Sequence, residues 1–134
     1  MKTRNKVITV LFLLTLSMII ISNIWTYPLG SDLHYYESAG AGFEPINAYH
    51  VLGIVLYQLI GINGFAVMIF FGIPYIMFQI VKEFKNENIA MWFVFFFVFG
   101  TITLFYFQRQ NLFSQASITF IGVILLWIYA KFIH

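Results

Sequence analysis

The chain has 134 residues, of which 61% are hydrophobic, 21% aromatic and only 9% charged, and its formal net charge is +2. Ordinary soluble domains are roughly 45–50% apolar, and a small soluble fold buries only about 60–70% of the surface that its unfolded chain exposes. This composition excludes a soluble globular domain and predicts an integral membrane protein. The small net charge argues against nucleic acid as a partner, and the absence of cysteine excludes disulfides and thiolate metal sites.

The first predicted element is a transmembrane helix over residues 7–26, which follows the basic start MKTRNK. A span needs roughly 20 mostly apolar residues, and this run supplies them. It is longer than the roughly 7–15 apolar residues of a cleaved signal peptide, and it ends in ISNIWTYP without a small-x-small cleavage pattern. We therefore expect an uncleaved anchor, with a signal peptide as the alternative.

The predicted outer loop over residues 27–44 is unusually polar for this chain. The stretch GSDLHYYESAGAGFEPINAYH at 30–50 holds three of the five acidic residues, two histidines and three tyrosines. Asp32 and His34 are able to ligate a divalent cation, with Glu37 one helical turn away. Asp32 or Glu37 would act as a general base if it reached a substrate hydroxyl. The alternative is that these acidic residues are simply solvated.

Residues 45–61 are predicted to form an amphipathic helix that lies in the outer membrane interface. At about 100° per residue, its polar and apolar side chains fall on opposite sides. The glycines of GING at 61–64 predict a break, after which residues 62–81 form the second span. For residues 45–61, the alternative to an interfacial helix is a tilted ordinary span. The polar side comprises Asn47, His50, Tyr57, Gln58 and Gly61, and His50 is expected to form hydrogen bonds in the interface.

Residues 89–107 and 112–130 are the third and fourth predicted spans, and the distribution of cations sets their orientation. With four crossings, six cations lie in the cytoplasm and Arg109 alone lies outside, as the positive-inside rule requires. A fifth crossing by residues 45–61 would nearly abolish this bias. The prediction is therefore an all-α, single membrane domain over residues 1–134 with both termini cytoplasmic. The six cytoplasmic cations are Lys2, Arg4, Lys6, Lys82, Lys85 and Lys131.

The short QRQN loop at 108–111 falls on the same outer face as the acidic loop. Arg109 is the sole cation there, and Gln108 and Gln110 flank it. A guanidinium with amide neighbours is well suited to hold a phosphate or a carboxylate. The alternative is a single arginine that anchors a helix end among lipid headgroups. No ionisable residue lies deep in a span, which argues against an ion-coupled pump.

In the order of its motifs, the chain resembles the N-terminal module of membrane glycosyltransferases that use polyprenyl-phosphate sugars, the C-type fold. The resemblance rests on SDLHYY in the outer loop, FEP at 43–45, and RQNLFSQA at 109–116. The last two motifs are most similar to the exopolysaccharide polymerase family. Members of the superfamily have far more spans than four. The chain is then a fragment, one piece of a split enzyme, or a small relative that binds without catalysing.

The resemblance implies roles for individual residues of this sequence. Asp32 matches the acidic residue of the first outer loop and would act as a base or a metal ligand. Arg109 matches the arginine of the Arg-Gln pair and would bind the donor pyrophosphate. The expected catalytic residues are Asp32, Glu37 and Arg109, and the expected substrate-binding residues are His34, Tyr36, Glu44, Gln110 and His50.

The resemblance implies a membrane component of lipid-linked saccharide transfer or polymerisation at the outer membrane face. The expected ligands are membrane lipid, a polyprenyl-phosphate-linked sugar and a divalent cation, and other integral membrane chains are expected partners. The expected location is the cell (inner) membrane of a bacterium or archaeon. The alternative is a non-catalytic small subunit of a larger membrane complex, in which the aromatic run WFVFFFVF at 92–99 would face lipid or pack between subunits.

Overall fold

The computed structural model describes residues 2–24, 48–100 and 113–133. These residues are helical except at Lys2, Lys85 and Asn86, and no strand occurs among them. The all-α class predicted from the sequence is confirmed for this part of the chain. The helical elements are α1 (Thr3–Ile24), α2 (Ala48–Val67), a π-helical turn (Met68–Gly72), α3 (Ile73–Phe84), α4 (Glu87–Gly100) and α5 (Phe113–Ile133).

Several of these helices have the length and composition of membrane spans. Within the described ranges, three stretches are long and apolar enough to cross a bilayer: Thr3–Ile21, Gln58–Phe84 and Ala116–Ile133. The apolar helix α4 is described over 14 residues, as far as Gly100. The fold is therefore compatible with an integral membrane protein, as the composition predicts.

α2 is bent at Gly61, where the backbone has a φ of 63° and a ψ of −173°. Because a Cβ atom would crowd the backbone in this conformation, it is essentially confined to glycine. The break expected from GING at 61–64 is therefore present, at its first residue. The bend also brings Ile60 close to the backbone of Gly64, because a Cβ on Gly64 would come within 2.4 Å of Ile60 Cβ.

The π-helical turn between α2 and α3 ends at Gly72, two residues before Pro74. Proline lacks an N–H, so it cannot donate to the carbonyl of Phe70 four residues earlier, and its ring crowds that carbonyl. The helix widens here by one residue per turn, and the N–H of Ile73 donates to Met68 O five residues back. The widened turn lets one continuous helical run pass a proline in its interior.

Four helix ends meet at one end of the bundle, which we term the basic end. The hydroxyl of Thr3 donates a hydrogen bond to Asn88 Oδ1 at 3.2 Å, which joins the start of α1 to the start of α4. Lys131 Nζ lies 2.6 Å from Glu83 Oε1, which joins the last turn of α5 to the end of α3. α1 and α4 therefore run away from the basic end, whereas α2, α3 and α5 run towards it.

Two clusters of buried side chains hold the bundle together. The one nearer the basic end contains Val7, Leu11, Phe78, Ala90, Val94 and Val98. The one nearer the opposite end contains Met18, Phe65, Ala66, Met68, Ile69, Phe70 and Ala116. Because the run from α2 to α3 contributes to both clusters, it is the central element against which α1, α4 and α5 pack.

α3 and α5 lie side by side and parallel, in a constant register. Directly before α3, a Cβ on Gly72 would come within 3.1 Å of Phe120 Cε2, so the phenyl ring lies against the glycine backbone. At the basic end Glu83 pairs with Lys131. Both pairs have the same separation in sequence, so the two helices neither slip nor diverge between them.

Candidate functional site

Most residues of the site expected from the sequence lie outside the described part of the chain. Only the backbone of His50 is described, in the first turn of α2, and its side chain is not. The catalytic, substrate-binding and metal-binding roles expected of these residues therefore stay predictions. Outside the described residues lie Asp32, His34, Tyr36, Glu37, Glu44, Arg109 and Gln110.

The helices that lead into these two segments are described, and they converge on the end opposite the basic end. α1 ends and α2 and α5 begin there, because Met18, the partly buried Leu56 and Ala116 belong to one cluster. α4 runs towards the same end as far as Gly100. Residues 25–47 and 101–112, which hold the acidic loop and the arginine loop, are thus attached to the same end of the bundle.

Two hydroxyl groups of α1, those of Thr15 and Ser17, donate to carbonyl oxygens of their own helix. Thr15 is buried, and its hydroxyl donates to Leu11 O at 2.7 Å. Ser17 donates to Leu13 O at 2.8 Å in the same way. Such back-bonding leaves little capacity to hold a ligand. Thr15 also lines a crevice of about 280 Å³ that is otherwise wholly apolar, with Phe12, Leu16, Ile19, Val67 and Phe71.

No metal site is formed by the described residues alone. Among residues 2–24, 48–100 and 113–133, no group of three or more histidine, cysteine, aspartate or glutamate side chains comes together. The divalent cation expected at Asp32 and His34 would be held by residues outside these ranges. We therefore derive no chemical step through a metal ion.

Part of the aromatic run of α4 faces away from the bundle. Trp92 and Phe96 are 58% and 71% exposed, and with Phe95, Phe99 and Gly100 they line an open groove of about 420 Å³. The inner face of the same helix carries small residues, Ala90, Val94 and Val98, which are buried. Small side chains allow close helix approach within a bilayer. Their four-residue spacing is the sequence pattern that could have indicated which face of α4 turns inward.

One buried polar atom in the membrane part has no partner among the described residues. The indole Nε1 of Trp127 is buried without a hydrogen-bond acceptor. The register between α3 and α5 puts Gln79 level with Trp127, so this amide is at the right height to approach it. An unsatisfied buried donor costs roughly 1–3 kcal/mol, so an acceptor from this level would stabilise the helix pair.

The basic end is the part of the described chain richest in charge, and it contains both described carboxylates. Glu83 pairs with Lys131, and Glu87 Oε1 lies 3.7 Å from Lys82 Nζ. Four further cations have no ion-pair partner among the described residues: Lys2, Arg4, Lys6 and Lys85. In the sequence, these residues indicate only the orientation of the chain in the membrane. The pairings join residues from different helices or across a turn, so spacing along one helix could not reveal them.

The resemblance to polyprenyl-phosphate-dependent glycosyltransferases, which rests on the motifs SDLHYY, FEP and RQNLFSQA, stays a prediction. No protein-family model matches the chain, and neither does any curated protein or any solved structure.

Proposed function

We propose that this chain is a four-span module of the cell (inner) membrane that takes part in lipid-linked saccharide transfer or polymerisation at the outer face. In this proposal both termini are cytoplasmic, residues 45–61 lie in the outer interface, and the acidic and arginine loops form the site. The observation that supports it is the shared attachment of residues 25–47 and 101–112 at one end of the bundle.

The proposed chemistry follows from the residue types that this arrangement would bring together. A carboxylate at Asp32 or Glu37 would accept a proton from the attacking sugar hydroxyl. The guanidinium of Arg109 would hold the diphosphate of the donor in a bidentate manner and stabilise its developing charge. His34, Tyr36, Glu44, Gln110 and His50 would bind the sugars by hydrogen bonds.

The test is transfer of a labelled sugar from a polyprenyl-phosphate donor, measured in membranes that contain each variant. We expect Asp32→Asn and Arg109→Ala each to lower the rate by about 100-fold or more, since general bases and charge-stabilising groups contribute at this scale. The membrane abundance of both variants should equal that of the unmodified chain. Full transfer activity in both variants would overturn the proposal.

Matched controls come from the basic end. Glu87→Gln makes the same carboxylate-to-amide change as Asp32→Asn, and Lys131→Ala removes one cation, as Arg109→Ala does. Both control residues lie at the end of the bundle remote from the proposed site. We expect both control variants to retain transfer activity.

A second candidate function is that of a non-catalytic small subunit of a larger membrane complex. The observation that favours it is the exposed aromatic groove on α4, which would pack against another chain. Lipid accepts any apolar side chain, whereas a packed protein surface requires a particular shape. The double variant Trp92→Leu/Phe96→Leu should then lose a co-purifying partner in mild detergent. The control variant Phe12→Leu, which changes an exposed aromatic side chain of α1, should retain it. A particle that runs alone before any substitution speaks against this candidate.

A further inference from the structure

The basic end carries more positive charge than its own carboxylates neutralise. Glu83 and Glu87 each pair with a lysine, which accounts for Lys131 and Lys82. The cations at residues 2, 4, 6 and 85 are all exposed, and none has an ion-pair partner in the described part of the chain. Four positive charges at this end therefore face their surroundings uncompensated.

The unpaired cations at the start of α1 and in the α3–α4 turn lie side by side and form one patch. The hydrogen bond from Thr3 to Asn88 fixes the first turn of α1 beside the first turn of α4. Lys85 lies in the turn directly before α4. The backbone N–H of Lys6 donates to Lys2 O at 3.2 Å, so both lysines lie at the start of α1. The patch thus follows the seam between α1 and the α3–α4 turn.

Exposed aromatic side chains surround the same end of the bundle. Phe84 is 53% exposed at the end of α3, Trp92 is 58% exposed little more than one turn into α4, and Phe132 is 88% exposed at the end of α5. Tryptophan is enriched at the headgroup level of a bilayer, so Trp92 indicates that this end of α4 lies near that level. The patch is therefore at the height at which lipid phosphate groups lie.

We propose that the basic end binds anionic phospholipids selectively, with their headgroup phosphates held by Lys2, Arg4, Lys6 and Lys85. The patch matches the lipid in charge, and the aromatic side chains match it in depth. Basic residues at the cytoplasmic membrane surface each favour anionic lipid by about fivefold in affinity. The site is independent of saccharide transfer, because it lies at the end of the bundle opposite the acidic and arginine loops.

The test is native mass spectrometry of the full chain in detergent, titrated with phosphatidylglycerol or with phosphatidylcholine of the same acyl chains. We expect the unmodified chain to bind phosphatidylglycerol more tightly. The double variant Lys6→Gln/Lys85→Gln should weaken its binding by about 25-fold and leave phosphatidylcholine unaffected. Equal affinity of the unmodified chain for both lipids would overturn the proposal.

The matched control is Lys82→Gln/Lys131→Gln, which removes the same charge from lysines that are already paired with carboxylates. We expect this variant to bind phosphatidylglycerol nearly as well as the unmodified chain. Equal weakening in the two double variants would mean that a diffuse positive field acts, and not the unpaired side chains. Excess inorganic phosphate should not displace the lipid; displacement would show that free phosphate is the ligand.

Discussion

At the scale of single residues, two glycines of α2 are required for different physical reasons. Gly61 adopts a backbone conformation that other residues essentially do not adopt, although a Cβ there would meet no atom within 4 Å. Gly64 is required for a steric reason, because a Cβ added there would lie 2.4 Å from Ile60 Cβ. The first glycine makes the bend, and the second makes room for the side chain that the bend brings close.

We expect both Gly61→Ala and Gly64→Ala to destabilise the protein. Gly61→Ala should lower the free energy of unfolding by about 1–3 kcal/mol through backbone strain. Gly64→Ala should lower it by at least as much, because the new Cβ would clash with Ile60 Cβ, which is close to the backbone and cannot swing away. The measurement is the thermal unfolding midpoint of the detergent-purified chain. Gly122→Ala on α5 is the control, since its Cβ would meet nothing within 4 Å. Equal midpoints for Gly64→Ala and Gly122→Ala would contradict the bend.

At the scale of elements, the turn between α3 and α4 shows how two antiparallel helices are separated by only two residues. Lys85 is extended and ends α3. Asn86 then begins α4 as its N-cap, since its Oδ1 accepts a hydrogen bond from the N–H of Ile89 at 2.9 Å. Glu87 follows in the first turn, where a negative charge complements the helix dipole. The sequence KNEN at 85–88 therefore ends α3 and begins α4.

We expect Asn86→Ala to lower stability by about 1 kcal/mol, because the first turn of α4 loses its cap. Asn86→Asp should retain stability, since a carboxylate oxygen accepts the same hydrogen bond. Unfolding of the detergent-purified variants by heat gives both values. If alanine and aspartate at this position unfold at the same temperature as asparagine, the cap makes no contribution.

The central helix shows which parts of an element the sequence can predict. The bend near residues 61–64 followed from two glycines around Asn63, a local signal. The π-helical turn at Met68–Gly72 was not predicted, because every residue in it is compatible with an ordinary helix. It arises from Pro74, which acts on the turn before it, and from the packing of Gly72 against Phe120 on another helix.

At the scale of the whole molecule, composition predicts the membrane class but not which helix faces turn inward. Nearly all residues of α4 are apolar, and hydrophobicity does not distinguish lipid from protein as a neighbour. Side-chain size makes much of the distinction, since Ala90, Val94 and Val98 are buried whereas the exposed side chains include Trp92, Phe93, Phe96 and Phe99. The candidate site was expected from motifs in residues 27–44 and 108–111, and their assembly depends on segments beyond the described helices.

We expect four crossings, and the absence of cysteine makes a direct test possible. Each single variant Ser38→Cys, Asn111→Cys and Lys85→Cys carries the only thiol of the chain. A membrane-impermeant maleimide added to intact cells should label the first two, and should label residue 85 only after permeabilisation. The contact between Thr3 and Asn88 supports this arrangement. Outside labelling at residue 85 together with protection at residue 111 would indicate five crossings.

The constant register between α3 and α5 has a mechanical consequence. A piston movement of α5 by one helical turn, about 5.4 Å, would lift the ring of Phe120 off Gly72 and separate Lys131 from Glu83 in the same step. Two unlike contacts therefore resist the same displacement. We therefore expect α3 and α5 to move as one rigid pair in any rearrangement of the bundle.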